Sequence, residues 1–279
     1  MVTRRGIVLV FTLVLLITFS SSAQQVYFTN EGKGLLQLLD LNSNPPQVTT
    51  LYSVGAKLDD LILNSAGQLI YSTNAGVDLY DPVTGQNTEL VSLKNALDLM
   101  IEPGGQTMLI AVYTGQILRY NFATGATTVL LKVHETFDGI AYDPYGNLYA
   151  VAGHNTIIQI DPVAGAILNT LVLEPHHGIN GGDGMTYDSY TGCLWVTHDG
   201  TTGNGLLQIP ITAAGLGSTF SFYPTPLVHA PDGIKSDGKG NLYIGAIWTL
   251  AVYNIPTNTI TQNVTVKGAD GVSLVPGTY

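Results

Sequence analysis

The stretch Asp138–Asp143, with the sequence DGIAYD, recurs along the chain in five further copies. Each copy carries an acidic residue at or next to its head, followed by an apolar segment. The other copies are Asp59–Asn64, Leu97–Glu102, Asp183–Asp188, Asp232–Asp237 and Asp270–Val275. The copy at Leu97 fits when its acidic residue, Asp98, is displaced by one place. Because the copies begin 38 to 49 residues apart, the chain is expected to fold as a tandem repeat.

The rest of each unit predicts three more strands. A turn with glycine leads into a second apolar strand, as in Gly146–Tyr149. A third strand ends in an Asp-Pro turn, as in Asp161–Gly165, and a fourth strand such as Thr127–Leu130 closes the unit. Proline presets a type I turn, and the glycine takes its left-handed position. Four strands in a unit of this length are the blade of a β-propeller.

The two ends of the chain decide the number of blades. Gln24–Tyr52 has three strands without a first one, whereas Gly268–Pro276 supplies only a first strand. Together these segments make one blade. The sequence therefore predicts an all-β, six-bladed propeller over residues 24–279, closed by pairing of the N- and C-terminal segments in the last blade.

Residues 1–23 have the pattern of a signal peptide. Arg4 and Arg5 precede the apolar run Ile7–Phe19, and small residues end at Ala23. The run of thirteen residues is shorter than the roughly 20 that a membrane span needs. We expect cleavage after Ala23, a secreted or periplasmic protein, and no membrane span in the mature chain. The alternative is an uncleaved anchor.

The composition excludes several classes of protein. Charged residues make up 11% of the chain and hydrophobic residues 45%, which excludes general disorder. There are 10 Lys and Arg against 20 Asp and Glu, so a nucleic-acid partner is not expected. The single cysteine, Cys193, excludes an intrachain disulfide and is expected to pack in the core. We expect a monomer.

The acidic residues at the heads of the repeats should meet at one end of the central channel, because the first strand of each blade lines that channel. The predicted ring comprises Asp59, Asp138, Asp183, Asp232 and Asp270, with Asp98 nearby. Converging carboxylates are typical of a site for a hard divalent cation. The alternative is structural: an aspartate at a strand start can accept backbone N–H groups and join one blade to the next.

All six histidines are predicted in loops of the same face. His176 and His177 lie before Asp183, and His198 lies in the next long loop. Asp183, His177 and His198 are therefore the candidate catalytic residues, as general base and orienting groups. An imidazole site for a softer metal is the alternative. Tyr113 and Trp248, in loops of this face, can give a ligand an aromatic wall.

Two segments resemble the SMP-30/gluconolactonase-like propellers and the looser NHL-type repeat. They are Pro231–Ala246, with its Pro-Asp-Gly motif, and Phe137–Ala150. The resemblance implies one divalent cation at the channel mouth. Its ligand positions fall on four carboxylates: Asp59, Asp138, Asp183 and Asp232. The family has a mixture of Glu, Asn and Asp there, so this more acidic set favours calcium and weakens Lewis-acid catalysis.

Three functions remain open from the sequence. The first is a secreted, metal-assisted hydrolase of a lactone or small ester. The second is a non-catalytic propeller that binds a small molecule or a protein at the Asp/His face. The third is an elimination like that of virginiamycin lyase, for which no convincing residues are found.

Overall fold

The computed structural model describes residues 25–173, 181–200 and 203–278. The predicted signal peptide and His176 and His177 lie outside these residues. The described chain forms six antiparallel sheets. Blade 1 comprises β1 (Gln25–Asn30), β2 (Leu35–Asp40), β3 (Gln47–Ser53) and, from the C-terminal end, β25 (Ala269–Leu274); blade 2 comprises β4 (Leu58–Leu63), β5 (Leu69–Thr73), β6 (Gly76–Tyr80) and β7 (Asn87–Ser92). Blade 3 comprises β8 (Ala96–Ile101), β9 (Thr107–Val112), β10 (Gln116–Asn121) and β11 (Thr127–Lys132); blade 4 comprises β12 (Phe137–Tyr142), β13 (Leu148–Ala152), β14 (Thr156–Ile160) and β15 (Ile167–Val172). Blade 5 comprises β16 (Gly182–Asp188), β17 (Cys193–His198), β18 (Gly205–Thr212), β19 (Gly215–Leu216) and β20 (Ser221–Pro224); blade 6 comprises β21 (Pro231–Ser236), β22 (Asn241–Ala246), β23 (Thr249–Asn254) and β24 (Thr259–Thr265).

Blade 1 closes the ring as predicted. Its first strand, β25, comes from the C-terminal end and pairs antiparallel with β1, with Val26 opposite Leu274 and Phe28 opposite Val272. The first strands of successive blades lie side by side around the channel, from β4 through β21 and back to β25. The fold prediction, an all-β propeller of six blades, is therefore confirmed.

Apolar side chains fill the space between neighbouring blades. One cluster joins blades 4 and 5 through Tyr149, Val196 and Leu207. Another joins the closing blade to blade 6 through Phe28 and Tyr243. The second strands are almost entirely buried because blades cover both of their faces, whereas the outermost strands are largely exposed. Each blade thus depends on its neighbours for its core, as expected of a repeat architecture.

Blade 5 departs from the four-strand pattern. β18 pairs with β20 as the outer strand and also turns back onto the short β19, with Thr212 opposite Gly215. The only helical element among the described residues is a short 3-10 helix at Glu31–Lys33. Across 25–173, 181–200 and 203–278, no helix is both long and apolar enough to cross a membrane.

Candidate functional site

Each first strand carries a β-bulge at the head of its repeat. In blade 4, Phe137 pairs with Ala152 and Ile140 pairs with Ala150. The two residues between them on β12, Asp138 and Gly139, therefore lie opposite a single residue of β13. The same interruption occurs in the first strands of the other five blades. A bulge bends its strand and redirects a side chain. The repeated Asp-Gly therefore encodes a bulge at the channel mouth.

The second bulge position favours glycine because the next blade approaches it closely. A β-carbon on Gly139 would lie 2.5 Å from the carbonyl oxygen of Asp183, and one on Gly184 would lie 2.3 Å from that of Asp232. Real β-carbon contacts are not this short, so a side chain at either place would force the blades apart. The glycines thus hold the first strands close together around the mouth.

Asp60 and Asp98 occupy this second position in blades 2 and 3, where their carboxylates join blades. The backbone N–H of Leu99 donates to Asp60 Oδ2 at 3.1 Å, and the N–H of Ile140 donates to Asp98 Oδ2. These two aspartates therefore have the structural role that was the alternative to a cation site: they accept backbone N–H groups and join one blade to the next. The aspartates at the first bulge position instead line the mouth of the channel.

A cavity of about 220 Å³ lies at this mouth. Five first-position aspartates line it together: Asp59, Asp138, Asp183, Asp232 and Asp270. Asp60, Asp98 and Glu31 also contribute to its wall, which gives eight carboxyl groups. The one amino group in the lining belongs to Lys57, and its Nζ is already 2.5 Å from Glu31 Oε1. The predicted ring is thus brought together with an excess of negative charge, although Lys235 interacts with Asp60 and Asp98 from within the channel.

Burial and mutual repulsion disfavour the ionised form of the ring carboxyls. Burial, followed by the nearby Asp232 carboxylate, raises the pKa of Asp59, Asp183 and Asp270 well above its usual range. Burial raises the pKa of Asp232 to about 6, although a hydrogen bond with Asp270 opposes the rise. Simultaneous ionisation of these groups is therefore costly in the folded state, and an approaching cation would favour their ionised forms.

Asp138 forms a pair with His154 at the edge of this cavity. His154 Nδ1 lies 3.2 Å from Asp138 Oδ2 and 3.3 Å from the carbonyl oxygen of Gly182. The Gly182 carbonyl oxygen can only accept, so the hydrogen is assigned to Nδ1 and Nε2 is left as the basic nitrogen. The His154 side chain is 49% exposed, and its backbone adopts the left-handed φ of 62° that is uncommon outside glycine. Sequence reasoning placed His154 on this face but did not select it.

His198 occupies a different environment from the one expected. It is the last residue of β17, not a loop residue, and it is fully buried. Its Nδ1 donates to the Gly203 carbonyl at 2.9 Å, and its ring packs edge-on against Phe222. Burial lowers its pKa. His198 is not among the residues that line the acidic cavity, although it pairs with Gly182, next to Asp183. His177 lies outside the described residues, so the catalytic set Asp183, His177 and His198 stays a prediction.

The divalent cation implied by the family resemblance fits the site only in its donor chemistry. Carboxylate oxygens are the ligands that calcium prefers. However, across the described parts of the chain no three Asp, Glu, His or Cys side chains are grouped so that they could hold a metal ion. The carboxylates line a cavity wall and do not enclose one ion. The predicted ligand set Asp59, Asp138, Asp183 and Asp232 therefore stays a prediction.

The two aromatic residues expected on this face behave differently. Tyr113 is 57% exposed and lines the acidic cavity. Trp248, also exposed, carries the Lys267 ammonium over its ring at 5.3 Å from the centroid and is not part of the cavity lining. Lys235, on β21, lines the opposite opening of the channel. Sequence reasoning did not find Lys235, because it stands at an ordinary strand position.

Comparison with known proteins supports the fold. No family model matches the chain, and neither does any curated protein. Among solved structures, the nidogen/laminin complex matches with a TM-score of 0.74 and 14% identity, over 91% of this chain and 98% of the other. Virginiamycin B lyase from Staphylococcus aureus matches with a TM-score of 0.62 and 17% identity, over 88% and 82%. A streptogramin B lyase structure gives 0.57 and 17%, over 75% and 68%.

These similarities define the class of protein and no more. The chain is a six-bladed β-propeller with structural neighbours that include a lyase and a propeller from a protein complex. At 14 to 17% identity they show the fold alone. The narrower resemblance to SMP-30/gluconolactonase stays a prediction from the sequence.

Proposed function

We propose that this protein is a binding propeller whose acidic mouth holds a small cationic ligand. The observation that carries the proposal is the excess of carboxyl groups in the cavity wall. Eight carboxyl groups line it, against the Lys57 amino group, which is already paired with Glu31, and Lys235, which interacts with Asp60 and Asp98. Buried carboxyls with like neighbours are costly in their ionised form. A cation in the cavity offsets that repulsion, and it would do so only in the folded state, where the ring exists.

The pattern of residues 1–23 supports an extracytoplasmic location for this binding. The ligand would then be met outside the cytosol. The cation could also belong to a protein partner, which would insert a Lys or Arg side chain into the mouth. The similarity to a propeller solved in the nidogen/laminin complex is compatible with such a partner.

A hydrolase of a lactone or small ester is the second candidate. It is favoured by the His154–Asp138 pair, in which the nearby carboxylate would stabilise a protonated imidazole and the half-exposed ring can accept a proton at Nε2. The proton would come from a water molecule as its oxygen adds to the substrate carbonyl carbon. This step uses residues that the sequence analysis did not select.

Thermal unfolding tests the binding proposal. The melting temperature of the purified protein would be measured with calcium, magnesium or methylammonium chloride against sodium chloride of equal ionic strength. A ligand at a hundredfold excess over its Kd stabilises by about 2.7 kcal/mol, which for a domain of this size is a rise of several degrees. We expect at least one of these cations to give such a rise.

A matched pair of double variants localises the effect. Asp183→Asn with Asp232→Asn removes two carboxylates from the mouth and should abolish most of the rise. Asp81→Asn with Asp161→Asn removes two exposed carboxylates from turns of the opposite face, where Oδ1 accepts backbone N–H groups that an asparagine can still satisfy. This control should respond like the wild type. If no cation raises the melting temperature, or if both double variants respond equally, the proposal is wrong.

A further inference from the structure

The acidic ring is interrupted at one place. Five blades present an aspartate at the first bulge position, but blade 3 presents Leu97 there, between Ala96 and Asp98. Leu97 lines the acidic cavity beside the carboxylates. An apolar residue in a ring of carboxyls contributes nothing to the binding of a bare ion. It does offer a contact to a ligand that is larger than an ion.

A second cavity, of about 240 Å³, opens at this interruption. Its wall comprises Lys57, Leu58, Asp59, Asn74, Asn95, Ala96, Leu97 and Tyr113. Four of these, Lys57, Asp59, Leu97 and Tyr113, also line the acidic cavity, so the two spaces adjoin. Leu58 and Ala96 supply a buried apolar floor, and the exposed Tyr113 ring stands at the rim. The second cavity has room for a phenyl ring with a short chain.

Backbone hydrogen bonds between the loops of blades 2 and 3 hold this second cavity in shape. The N–H of Asn74 donates to the carbonyl of Lys57 at 3.2 Å, and that of Asn95 donates to the carbonyl of Asn74 at 3.3 Å. The N–H of Tyr113 then donates to the carbonyl of Asn95 at 3.1 Å. The loops that carry Lys57 and Tyr113 are therefore linked, and the pocket is largely preformed, as ligand sites usually are.

Asp138 gives an independent sign that the acidic cavity is incomplete without a ligand. Its side chain is 10% exposed and lines the cavity, yet Oδ2 has no hydrogen bond in the described structure. The nearby His154 Nδ1 is at ion-pair distance but does not form a hydrogen bond with it. Buried carboxylate oxygens are normally hydrogen-bonded. A donor inside the cavity would satisfy this carboxylate after a rotation of the side chain that brings Oδ2 to the cavity surface.

We infer that the ligand is an organic ammonium ion with an apolar body the size of an aromatic ring. The ammonium group lies among the ring carboxylates and donates its hydrogens to them, and the body lies against Leu97 and Tyr113 in the second cavity. This inference rests on the proposed function and names the ligand class of the same site. A primary ammonium has three donors, which suits several separated acceptors better than a single metal ion does.

Titration calorimetry with three probes tests the inference on the purified protein. 2-Phenylethylamine carries both parts of the ligand, methylamine carries only the ammonium, and 2-phenylethanol carries only the apolar body. We expect 2-phenylethylamine to bind at least about tenfold more tightly than either of the others, since a buried phenyl ring and a charge pair each contribute more than 1.4 kcal/mol.

Variants of the second cavity separate this inference from the proposed function. Tyr113→Ala removes an exposed ring and leaves the fold intact, and Leu97→Asp completes the ring of six aspartates. Both should lose most of the preference for 2-phenylethylamine over methylamine while still binding cations. If the wild type binds methylamine or calcium as tightly as 2-phenylethylamine, the inference is wrong and the proposed function stands. If no cation binds at all, both are wrong.

Discussion

Gly184 lies so close to the next blade that a β-carbon added to it would be 2.3 Å from the carbonyl oxygen of Asp232. The same short approach recurs at Gly139, Gly233 and Gly271, each against the bulge of the following blade. The Asp-Gly pairs therefore do two things at once. The aspartate faces the channel, and the glycine allows the strands to approach closely enough for the carboxyls to form one site.

Gly184→Ala is expected to destabilise the protein, because the added methyl group meets backbone atoms that cannot move without opening the ring. Overpacking of this kind costs about 1 to 3 kcal/mol, which should lower the melting temperature by several degrees. Gly32→Ala is the matched control, since a β-carbon there meets nothing within 4 Å and φ is not positive. Equal melting temperatures for the two variants would show that the bulges are not tightly packed.

Away from the acidic mouth, an ion pair between Arg119 and Glu102 should stabilise the packing of blade 3 against blade 4. Arg119 donates two hydrogen bonds to the buried Glu102, at 2.6 and 2.8 Å, and a third to the carbonyl of Pro162 in blade 4. Tyr142 of blade 4 donates to Glu102 at 2.7 Å. Although burial opposes it, these hydrogen bonds hold the pKa of Glu102 below its usual range.

Arg119→Ala should cost about 3 kcal/mol in unfolding free energy, because it leaves the Glu102 carboxylate buried without its partner. Chemical denaturation measures this loss. Adding Glu102→Gln to the alanine variant should recover part of it by removing the stranded charge. A double variant that is less stable than Arg119→Ala alone would mean that Glu102 is stabilised mainly by other groups.

The ring carboxyls should make the ligand-free protein less stable as the pH rises. Their folded-state pKa values are raised, to about 6 for Asp232 and well above the usual range for Asp59, Asp183 and Asp270. Between the unfolded and folded pKa values the folded state holds more protons, so stability is full below the unfolded pKa and is lost as pH rises through the folded one.

The melting temperature without ligand should therefore be lower at about pH 8 than at about pH 5.5, a window in which ordinary carboxyls no longer titrate. The Asp183→Asn and Asp232→Asn double variant should show a smaller difference, because two of the groups that repel one another are gone. A double variant whose melting temperature falls as much as that of the wild type over this window would contradict the raised pKa values of the ring.

The His154–Asp138 pair gives the hydrolase alternative its own test. Turnover of a panel of lactones and small esters should fall by about a hundredfold or more in His154→Gln if the imidazole is the general base. His198→Gln is an unsuitable control because His198 is buried, whereas His229→Gln alters a residue that does not line the cavity. The absence of turnover in the wild type, or its persistence in His154→Gln, would end this alternative.

The fold was predictable because its signals are local. The Asp-Gly bulges and the turns such as Asp161–Gly165 repeat in the sequence, and in the structure Asp161 Oδ1 accepts the N–H groups of Val163 and Ala164 as such a turn requires. The closing blade followed from counting strands at the two ends. The hairpin of β18 and β19 was missed, since it is an insertion in one blade and has no counterpart in the repeat.

The site was predictable only in part because its details depend on contacts between blades. The position of the five aspartates at one mouth follows from their place in the repeat. The pair of His154 with Asp138 needs the left-handed loop conformation at His154, which the sequence does not reveal. Leu97 appears in the sequence as an imperfect copy of the repeat, and in the structure it lines both cavities.

The most direct test of the central claim is where a cationic ligand binds. Crystals of the protein soaked in 2-(4-bromophenyl)ethylamine would locate the bromine by anomalous scattering. The account predicts one dominant peak beside Leu97 and Tyr113, with the amine within hydrogen-bond distance of Asp138 and its neighbouring carboxylates. A dominant peak elsewhere on the molecule, or none at concentrations that saturate binding in solution, would contradict the account.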